Sequence, residues 1–210
     1  FCTHCQEKVR GDVIRLLEDF LLADLGLSKG EVTVNFSGSK GYHVHVSNGP
    51  AMQLSSSQRS QLVEYAACSS VDFSRFFSTQ TPVINSRQVE VINGPGGDSG
   101  GWARKIVAGA EELLSLSQEQ LSSELKAAGY TKKESEEIAS RADYIKSNIA
   151  AGRWGAFPHQ RDLFLELIKK RTGVMNVGTD RQVTTDMARL IRIPGTLHGD
   201  SGLVAKNVSD

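Results

Sequence analysis

A glycine-rich turn between two short alternating stretches is the first part of the chain that can do chemistry. Residues 36–46 have the sequence F-S-G-S-K-G-Y-H-V-H-V. The two glycines let a backbone approach a phosphate, while Ser37, Lys40 and exposed N–H groups supply hydrogen-bond donors. His43 and His45 alternate with apolar residues, so both rings lie on one face of a strand. An anion-binding pocket and a plain hairpin with surface histidines both fit this segment.

A second candidate segment lies near the end of the sequence. Residues 192–199 have the sequence R-I-P-G-T-L-H-G, and Asp180 and Asp186 precede them. An arginine and a histidine can hold a polyphosphate, and a carboxylate can hold a divalent cation. The same residues fit a turn after a capped helix, with Asp186 in the first helical turn, where the helix dipole favours a carboxylate. Alone, this segment leaves its function open.

Two cysteines at the start of the sequence form a C-x-x-C pair, which is half of a tetrahedral zinc site. Cys2 and Cys5 are the favoured ligands, and His4 is an alternative. Cys68 is predicted to lie within a helix and to pack in the core. This cysteine usage fits a reducing compartment with a metal site better than a disulfide framework. Because the chain opens on Phe1, without Met or a signal peptide, we expect a truncated or processed cytoplasmic protein.

The elements that must position these residues follow from the apolar pattern. Strands are predicted at 32–36 and 42–46, joined by a tight turn, so the glycine-rich segment lies on a β-hairpin. Helical spacing predicts a helix within 7–25 and another over 55–68, capped by serines at 55–57. The remaining predictions are an irregular region at 71–100, helices from 102 to about 172, and a helix near 184–190.

The overall composition places only wide limits on the class of protein and on its partners. The chain has 210 residues, of which 39% are hydrophobic and 23% charged, as in an ordinary soluble globular protein. Lys plus Arg and Asp plus Glu number 24 each, so the net charge of zero neither indicates nor excludes a nucleic-acid partner. No apolar run approaches the length of a membrane span, and we expect no membrane partner.

A competing signature occurs at residues 97–101, which spell the G-D-S-G-G of chymotrypsin-like serine proteases. His43, Asp72 and Ser99 follow the chain order of a catalytic triad. The histidine lies too close to the serine in sequence to leave room for two β-barrels, and the residues after Gly101 are predicted to be helical. A glycine-rich loop with a helix N-cap at Asp98 or Ser99 is the simpler interpretation.

Together, the two candidate segments closely resemble the archaeal and eukaryotic DNA primase small (catalytic) subunit. The resemblance rests on S-G-x-x-G-x-H followed, some 150 residues later, by D-x5-D-x5-R-x-P-G-x-L-H-G. It implies an α/β fold, namely a primase-polymerase-type catalytic core with a helical insertion and part of a zinc knuckle. The implied divisions are 1–100 and 173–210 for the two parts of the core and 101–172 for the insertion.

The resemblance also implies a role for each matching residue. Asp180 matches a metal-binding carboxylate, and Cys2 and Cys5 match the last two ligands of a structural Zn²⁺. Five residues match positions that hold the triphosphate of the incoming nucleotide: Ser37, Lys40, His43, Arg192 and His198. The family often has arginine where this chain has Lys40, which keeps the charge and loses the bidentate fork.

The implied activity is synthesis of short RNA primers on single-stranded DNA from nucleoside triphosphates, with Mg²⁺ or Mn²⁺ and a primase large subunit as heterodimer partner. Its compartment would be the archaeal cytoplasm, or the nucleus in a eukaryote. The family's D-x-D carboxylate pair occurs nowhere in these 210 residues. We therefore expect an N-terminally truncated chain that is inactive alone, since two-metal nucleotidyl transfer needs several carboxylates. The alternative is a non-catalytic module that binds nucleotides or nucleic acid.

Overall fold

The structure is a computed structural model that describes residues 2–155, 161–173 and 177–208. The chain divides into two compact units: Phe1–Ser70 with Asn176–Asp210 form the first, and Val71–Met175 form the second. Helices and small antiparallel sheets occur together, in agreement with the predicted α/β class. The domain boundaries expected near residues 100 and 172 stay a prediction. Among the described residues, no helix combines the length and apolar character that crossing a membrane requires.

The helices and strands of the described residues are, in chain order, α1 (Thr3–Arg15), β1 (Val32–Phe36), β2 (Tyr42–Val46), α2 (Gly49–Met52), α3 (Ser56–Ala66), β3 (Ser78–Gln80), β4 (Val83–Ile84), β5 (Arg87–Gln88), β6 (Val91–Asn93), α4 (Gly101–Leu114), α5 (Gln118–Ala128), α6 (Lys132–Ser140), α7 (Ala142–Ala150), α8 (Arg161–Gly173), α9 (Arg181–Thr185) and β7 (Lys206–Asn207). A π-helical segment, Leu16–Leu22, continues α1, so the predicted first helix is confirmed with an earlier start.

The sheet of the first unit is built on the predicted hairpin, whose two strands have the predicted bounds. Its strand order is β2-β1-β7, with both pairings antiparallel. The register places Asn35 opposite His43 and Phe36 opposite Tyr42. Because side chains alternate along a strand, Val32 and Val34 lie on the apolar face, while His43 lies on the opposite face with Asn35.

Helix α3 starts as predicted and ends earlier than predicted. Ser55 is its N-cap, and Ser55 and Gln58 form a capping box. The helix ends at Ala66, where the N–H of Cys68 bonds to the carbonyl of Tyr65. Cys68 has a φ of 55° and is half-buried, so its predicted position inside a helix and in the core was wrong.

Helix α9 begins before the position that the sequence predicted. The carboxylate of Asp180 accepts hydrogen bonds from the N–H groups of Gln182 (2.9 Å) and Val183 (3.3 Å), which starts the helix at residue 181. The helix then ends at Thr185, and Asp186 is its C-cap residue. The helix expected near 184–190 was therefore misplaced, because the N-cap at Asp180 starts it at residue 181.

The second unit has a helical core and a short strand-containing region before it. Residues 71–100 were predicted to be irregular, but they form two small antiparallel pairs, β3 with β6 and β4 with β5. The N-cap of α4 is Gly100, without a side-chain hydrogen bond, so the cap expected at Asp98 or Ser99 was wrong. The largest buried side chains of this unit's core are Ile106, Leu113, Leu121, Leu125, Ile138, Ile145, Ile149, Trp154, Phe164 and Ile168.

Candidate phosphate-binding site

The turn at residues 37–41, called the glycine loop below, is closed by the side chain of Ser37. The Ser37 hydroxyl oxygen accepts hydrogen bonds from the N–H groups of Ser39 and Gly41, each at 3.3 Å. The Ser37 N–H donates to the carbonyl of Gly41 at 2.9 Å. A hydroxyl that accepts in this way still has its O–H to donate. The glycine loop therefore presents a donor at the end of the hairpin, as an anion site requires.

Residues 192–205, called the arginine–histidine loop below, fold back on themselves before entering β7. The N–H of Gly195 bonds to the carbonyl of Ala205 (2.7 Å), and the N–H of His198 bonds to the carbonyl of Leu203 (2.8 Å). Strand β7 then pairs with β1. These bonds hold the arginine–histidine loop next to the hairpin, although the two are far apart in sequence.

Gly38 is the point at which the two loops pack together. It is buried and has a φ of 79°, a left-handed conformation that favours glycine. A Cβ on this residue would lie 2.9 Å from the Leu203 carbonyl oxygen and 3.1 Å from the His198 Cβ. Both the backbone conformation and the close approach therefore require glycine here.

Arg192 links the two loops directly. Its Nη1 donates to the carbonyl of Ser37 at 3.1 Å, across 155 residues of sequence. A guanidinium has five N–H donors, so this bond leaves others for an external anion. Arg192 thus supports the glycine loop and brings a fixed positive charge to it.

The ring of His198 is oriented by the backbone that follows it. Its Nδ1 accepts from the N–H groups of Asp200 and Ser201, each at 3.3 Å. With the Nδ1 lone pair directed at two donors, we assign the ring hydrogen to Nε2. His198 is therefore set to donate a hydrogen bond from Nε2.

His43 lies on β2 in a partly buried setting that disfavours its charged form. Burial lowers the pKa of His43 below its ordinary value of 6.5, and the positive charges of His45 and Arg192 lower it further. The rings of His43 and His45 are edge to face, with centroids 6.3 Å apart. Near neutral pH His43 is thus an uncharged hydrogen-bonding group, and an anion bound beside it would favour its protonation.

Lys40 is exposed on the glycine loop. The Gln6 side chain donates to the Ser39 carbonyl at 3.0 Å, which ties α1 to the loop. The pKa of Cys5 is raised by its hydrogen bond to Cys2 and by the charge of that neighbour, while Lys8 and Lys40 oppose this shift. Lys40 therefore lies within electrostatic range of the cysteine pair.

Cys2 and Cys5 are exposed and have free thiols. The Cys2 sulfur caps α1 by accepting from the Cys5 N–H at 3.5 Å, and hydrogen bonds from Cys5 lower the pKa of Cys2. Two thiols on adjoining positions at a helix start fit two ligands of a tetrahedral zinc site. Within the described residues, no group of three or more His, Cys, Asp or Glu side chains is placed to hold a metal ion. Metal binding by Cys2, Cys5 and Asp180 therefore stays a prediction.

The predicted phosphate-binding residues lie on two elements that pack together, whereas Asp180 lies at the start of a separate helix. Ser37, Lys40, His43, Arg192 and His198 all lie on the hairpin or on the loop packed against it. Asp180 is exposed at the start of α9, where its carboxylate caps the helix.

Sequence reasoning missed two residues at this site. Asn35 faces His43 across the hairpin and is 5% exposed, and its Oδ1 has no hydrogen-bond partner among the described residues. Ser201, on the arginine–histidine loop, bonds to His198 of the same loop and to Gly38 of the glycine loop. Strand alternation points to Asn35, since it shares a face with His43. Nothing in the sequence pattern alone indicates Ser201.

The residues of the protease-like signature make local contacts in the second unit. The Ser99 hydroxyl oxygen accepts from the Gly96 N–H at 3.0 Å. The Asp72 carboxylate accepts from the N–H and hydroxyl of Ser74 and pairs with Arg75. Each group thus stabilises its own turn, as the loop interpretation requires.

Comparison with known proteins adds independent information. A sequence model of the DNA primase small subunit family matches residues 3–210. The chain is 32% identical to the DNA primase small subunit PriS of Methanothrix thermoacetophila, with 97% of this chain and 54% of the relative covered. Identity is 30% to PriS of Natronomonas pharaonis, covering 96% and 52%, and 31% to PriS of Haloarcula marismortui, covering 94% and 51%. The chain spans about half the length of these relatives.

Proposed function

Because this chain belongs to the DNA primase small subunit family, we propose that it carries the nucleotide-binding part of an archaeal-type primase catalytic subunit. The whole protein would join ribonucleotides into a short primer on a single-stranded DNA template and release pyrophosphate. The substrates would be nucleoside triphosphates, and the partner a primase large subunit. The archaeal cytoplasm is the compartment that fits these relatives.

One observation carries the proposal: the glycine loop and the arginine–histidine loop pack together. The contact between Gly38 and His198, with the bond from Arg192 to the Ser37 carbonyl, gathers cationic and neutral donors at one end of the hairpin. A nucleoside triphosphate carries several negative charges on its phosphates. Donors fixed in advance stabilise such charge without rearranging during the reaction.

Each residue would have a distinct task toward the triphosphate. Arg192 and Lys40 supply positive charge, with Arg192 anchored through Ser37 and Lys40 exposed. Ser37 and His198 supply directed O–H and Nε2–H donors. His43 is uncharged before binding and gains a favourable interaction when phosphate approaches. Together they would hold the triphosphate in one orientation.

Asp180 is the residue of this chain that would bind Mg²⁺ or Mn²⁺. Such ions, when bound, supply activation of the attacking hydroxyl and stabilisation of the leaving pyrophosphate. The Asp180 carboxylate is held in place by α9, because its Oδ1 accepts two backbone N–H bonds. One carboxylate is too few for a two-metal site, and no D-x-D pair occurs in the 210 residues. We therefore propose that this chain binds nucleotide but does not by itself catalyse transfer.

Cys2 and Cys5 would supply two ligands of a structural zinc knuckle, with the other ligands from outside these residues. Their exposed, adjacent thiols at the start of α1 support this assignment. We also propose that residues 101–172 form the helical insertion of the family's catalytic core. Helices α4 to α8 account for most of this range.

The first test is binding of ATP and AMP to the chain by isothermal titration calorimetry. ATP should bind at least about tenfold more tightly than AMP, because the donors converge on a polyphosphate. Equal affinities would contradict the assignment of the two loops to phosphate binding.

The second test separates a primase from a non-catalytic binding module. The absence of a D-x-D pair from these 210 residues favours the binding module. A form extended to include that pair should make primers on single-stranded DNA with Mg²⁺ or Mn²⁺. Asp180→Asn in that form should abolish the product, while Asp186→Asn is the matched control. No primer from the extended form would leave the binding module as the function.

A further inference from the structure

We propose that Ser201 is a positioning residue that couples the glycine loop to His198 within the phosphate site. This inference rests on the proposed function and adds a residue to it. Ser201 lies on the arginine–histidine loop, three residues after His198, and makes hydrogen bonds to both halves of the site. Its own side chain need not touch the nucleotide.

The first bond reaches the glycine loop. The Ser201 hydroxyl donates to the carbonyl of Gly38, across 163 residues of sequence, and accepts from the Leu203 N–H at 3.2 Å. Gly38 is buried, and a buried carbonyl without a partner is destabilising. The hydroxyl of Ser201 therefore satisfies a group that the close packing of the loops removes from water.

This bond also orients the donors of the glycine loop. The carbonyl of Gly38 and the N–H of Ser39 belong to one planar peptide group, so fixing the oxygen fixes the direction of the N–H. That N–H donates to the Ser37 hydroxyl oxygen at 3.3 Å. Ser201 thus acts, through a single peptide group, on the hydroxyl that we assign to the triphosphate.

The second bond reaches the histidine. The backbone N–H of Ser201 donates to Nδ1 of His198 at 3.3 Å, alongside the N–H of Asp200. These bonds place the ring hydrogen on Nε2 and set the plane of the ring. The bond to His198 lies within the arginine–histidine loop, and the bond to Gly38 crosses to the glycine loop. Movement of either loop alone would therefore break the bond between Ser201 and Gly38.

Substitution of the hydroxyl tests this coupling against a matched control. Ser201→Ala should weaken ATP binding about tenfold, because a buried carbonyl loses its partner and the loop shifts. Ser201→Thr keeps the hydroxyl and should restore most of the affinity. Thr196→Ala is the control, since the Thr196 hydroxyl lies on the same loop and donates locally to the Ile193 carbonyl at 2.7 Å.

A double-mutant cycle separates coupling from simple destabilisation. With Ser201 intact, Lys40→Ala and His198→Ala should have non-additive effects on ATP affinity, because both act in one connected unit. In the Ser201→Ala background the two effects should become additive. If the non-additivity is the same in both backgrounds, the coupling role is wrong.

Amide hydrogen exchange in the nucleotide-free chain distinguishes failure of this inference from failure of the proposed function. Ser201→Ala should speed exchange of the Ser39 N–H, while Thr196→Ala should leave it unchanged. Unchanged exchange in Ser201→Ala would overturn the positioning role whether or not ATP binds. Faster exchange without ATP binding to the unsubstituted chain would reject the proposed function and keep the role.

Discussion

The two units differ in what holds them together. In the second unit, large apolar side chains on successive helices are fully buried against one another, Leu113 and Ile145 among them. The first unit buries fewer large side chains, and the segment leading to its phosphate site exposes several, including Leu190 (97%) and Ile193 (70%). The large buried apolar side chains and the predicted phosphate-binding residues thus lie mainly in different units.

The bonds that start two helices of the second unit differ in range from those of the candidate phosphate site. In the second unit, the starts of α5 and α6 are fixed by capping boxes within three residues, Ser117 with Gln120 and Thr131 with Glu134. The phosphate site instead depends on bonds that join residues more than 150 apart, such as Arg192 to Ser37. We expect substitutions in the buried helical core to act through lost packing, and substitutions at the candidate phosphate site to act through lost polar contacts.

The largest expected effect is on the stability of the helical core. Leu113→Ala removes a side chain with 0% exposure and should lower the free energy of unfolding by about 2–5 kcal/mol. Both tryptophans, Trp102 and Trp154, lie in the second unit, so denaturant unfolding followed by tryptophan fluorescence reports on it. Val83→Ala, at an exposed position of the same unit (68%), is the control and should change stability by less than about 0.5 kcal/mol. If Leu113→Ala lost ATP affinity while the chain was still folded, the proposed difference between the two units would be wrong.

Arg192→Ala should give the complementary result. It removes a charge-assisted bond to Ser37 and a cation from the site, so the free energy of ATP binding should weaken by about 1.5–3 kcal/mol, or roughly 10–150-fold in affinity. The fluorescence-monitored unfolding of the second unit should not change. Arg189→Ala alters an exposed arginine nearby and should bind ATP as before. An unchanged affinity in Arg192→Ala would remove this residue from the site.

The parts of the fold that the sequence predicts correctly are those set by neighbouring residues. The hairpin and the capped start of α3 follow from strand alternation and from Ser55 with Gln58, and both are confirmed. The start of α9 was misplaced, because the Asp180 carboxylate caps a helix that begins at residue 181.

The site was predictable only as two separate segments. Motif resemblance brought Ser37 and Arg192 into one hypothesis, but no local pattern encodes the bond between them. The packing of Gly38 against His198 and the bonds of Ser201 arise only after β7 pairs with β1. Contacts of this range depend on the tertiary structure, so periodicity and capping rules carry no information about them.

The third prediction concerns pH. The pKa of His43 is held below 6.5 in the free protein by burial, His45 and Arg192, and a bound triphosphate should raise it. Binding then takes up a proton, so ATP affinity should increase as the pH falls from 8 through the range below 6.5, by at most about tenfold per pH unit. The His43→Asn variant should lose the part of this pH dependence that comes from protonation of His43. Protonation of ATP itself is common to both proteins, so the difference between their pH profiles isolates His43.

Lower pH should have the opposite effect on the stability of the nucleotide-free protein. A histidine whose pKa is lower in the folded state destabilises that state when it becomes protonated. The nucleotide-free first unit should therefore lose stability as the pH falls from 6.5 through the folded-state pKa of His43.

Equal pH dependence of ATP binding in His43→Asn and the unsubstituted chain would show that protonation of His43 does not respond to the bound phosphates.

The smallest expected effect tests how the glycine loop holds phosphate. Lys40 is exposed, and its ammonium is a point charge without a fixed fork. Lys40→Arg should strengthen ATP binding by about 0.5–1 kcal/mol, because a guanidinium can make two parallel bonds to a phosphate. The gain should be absent for adenosine, and Lys29→Arg, an exposed change before β1, should show none. A gain of equal size for adenosine would mean that Lys40 acts on another part of the nucleotide, which would confine the phosphate contacts to Ser37 and the arginine–histidine loop.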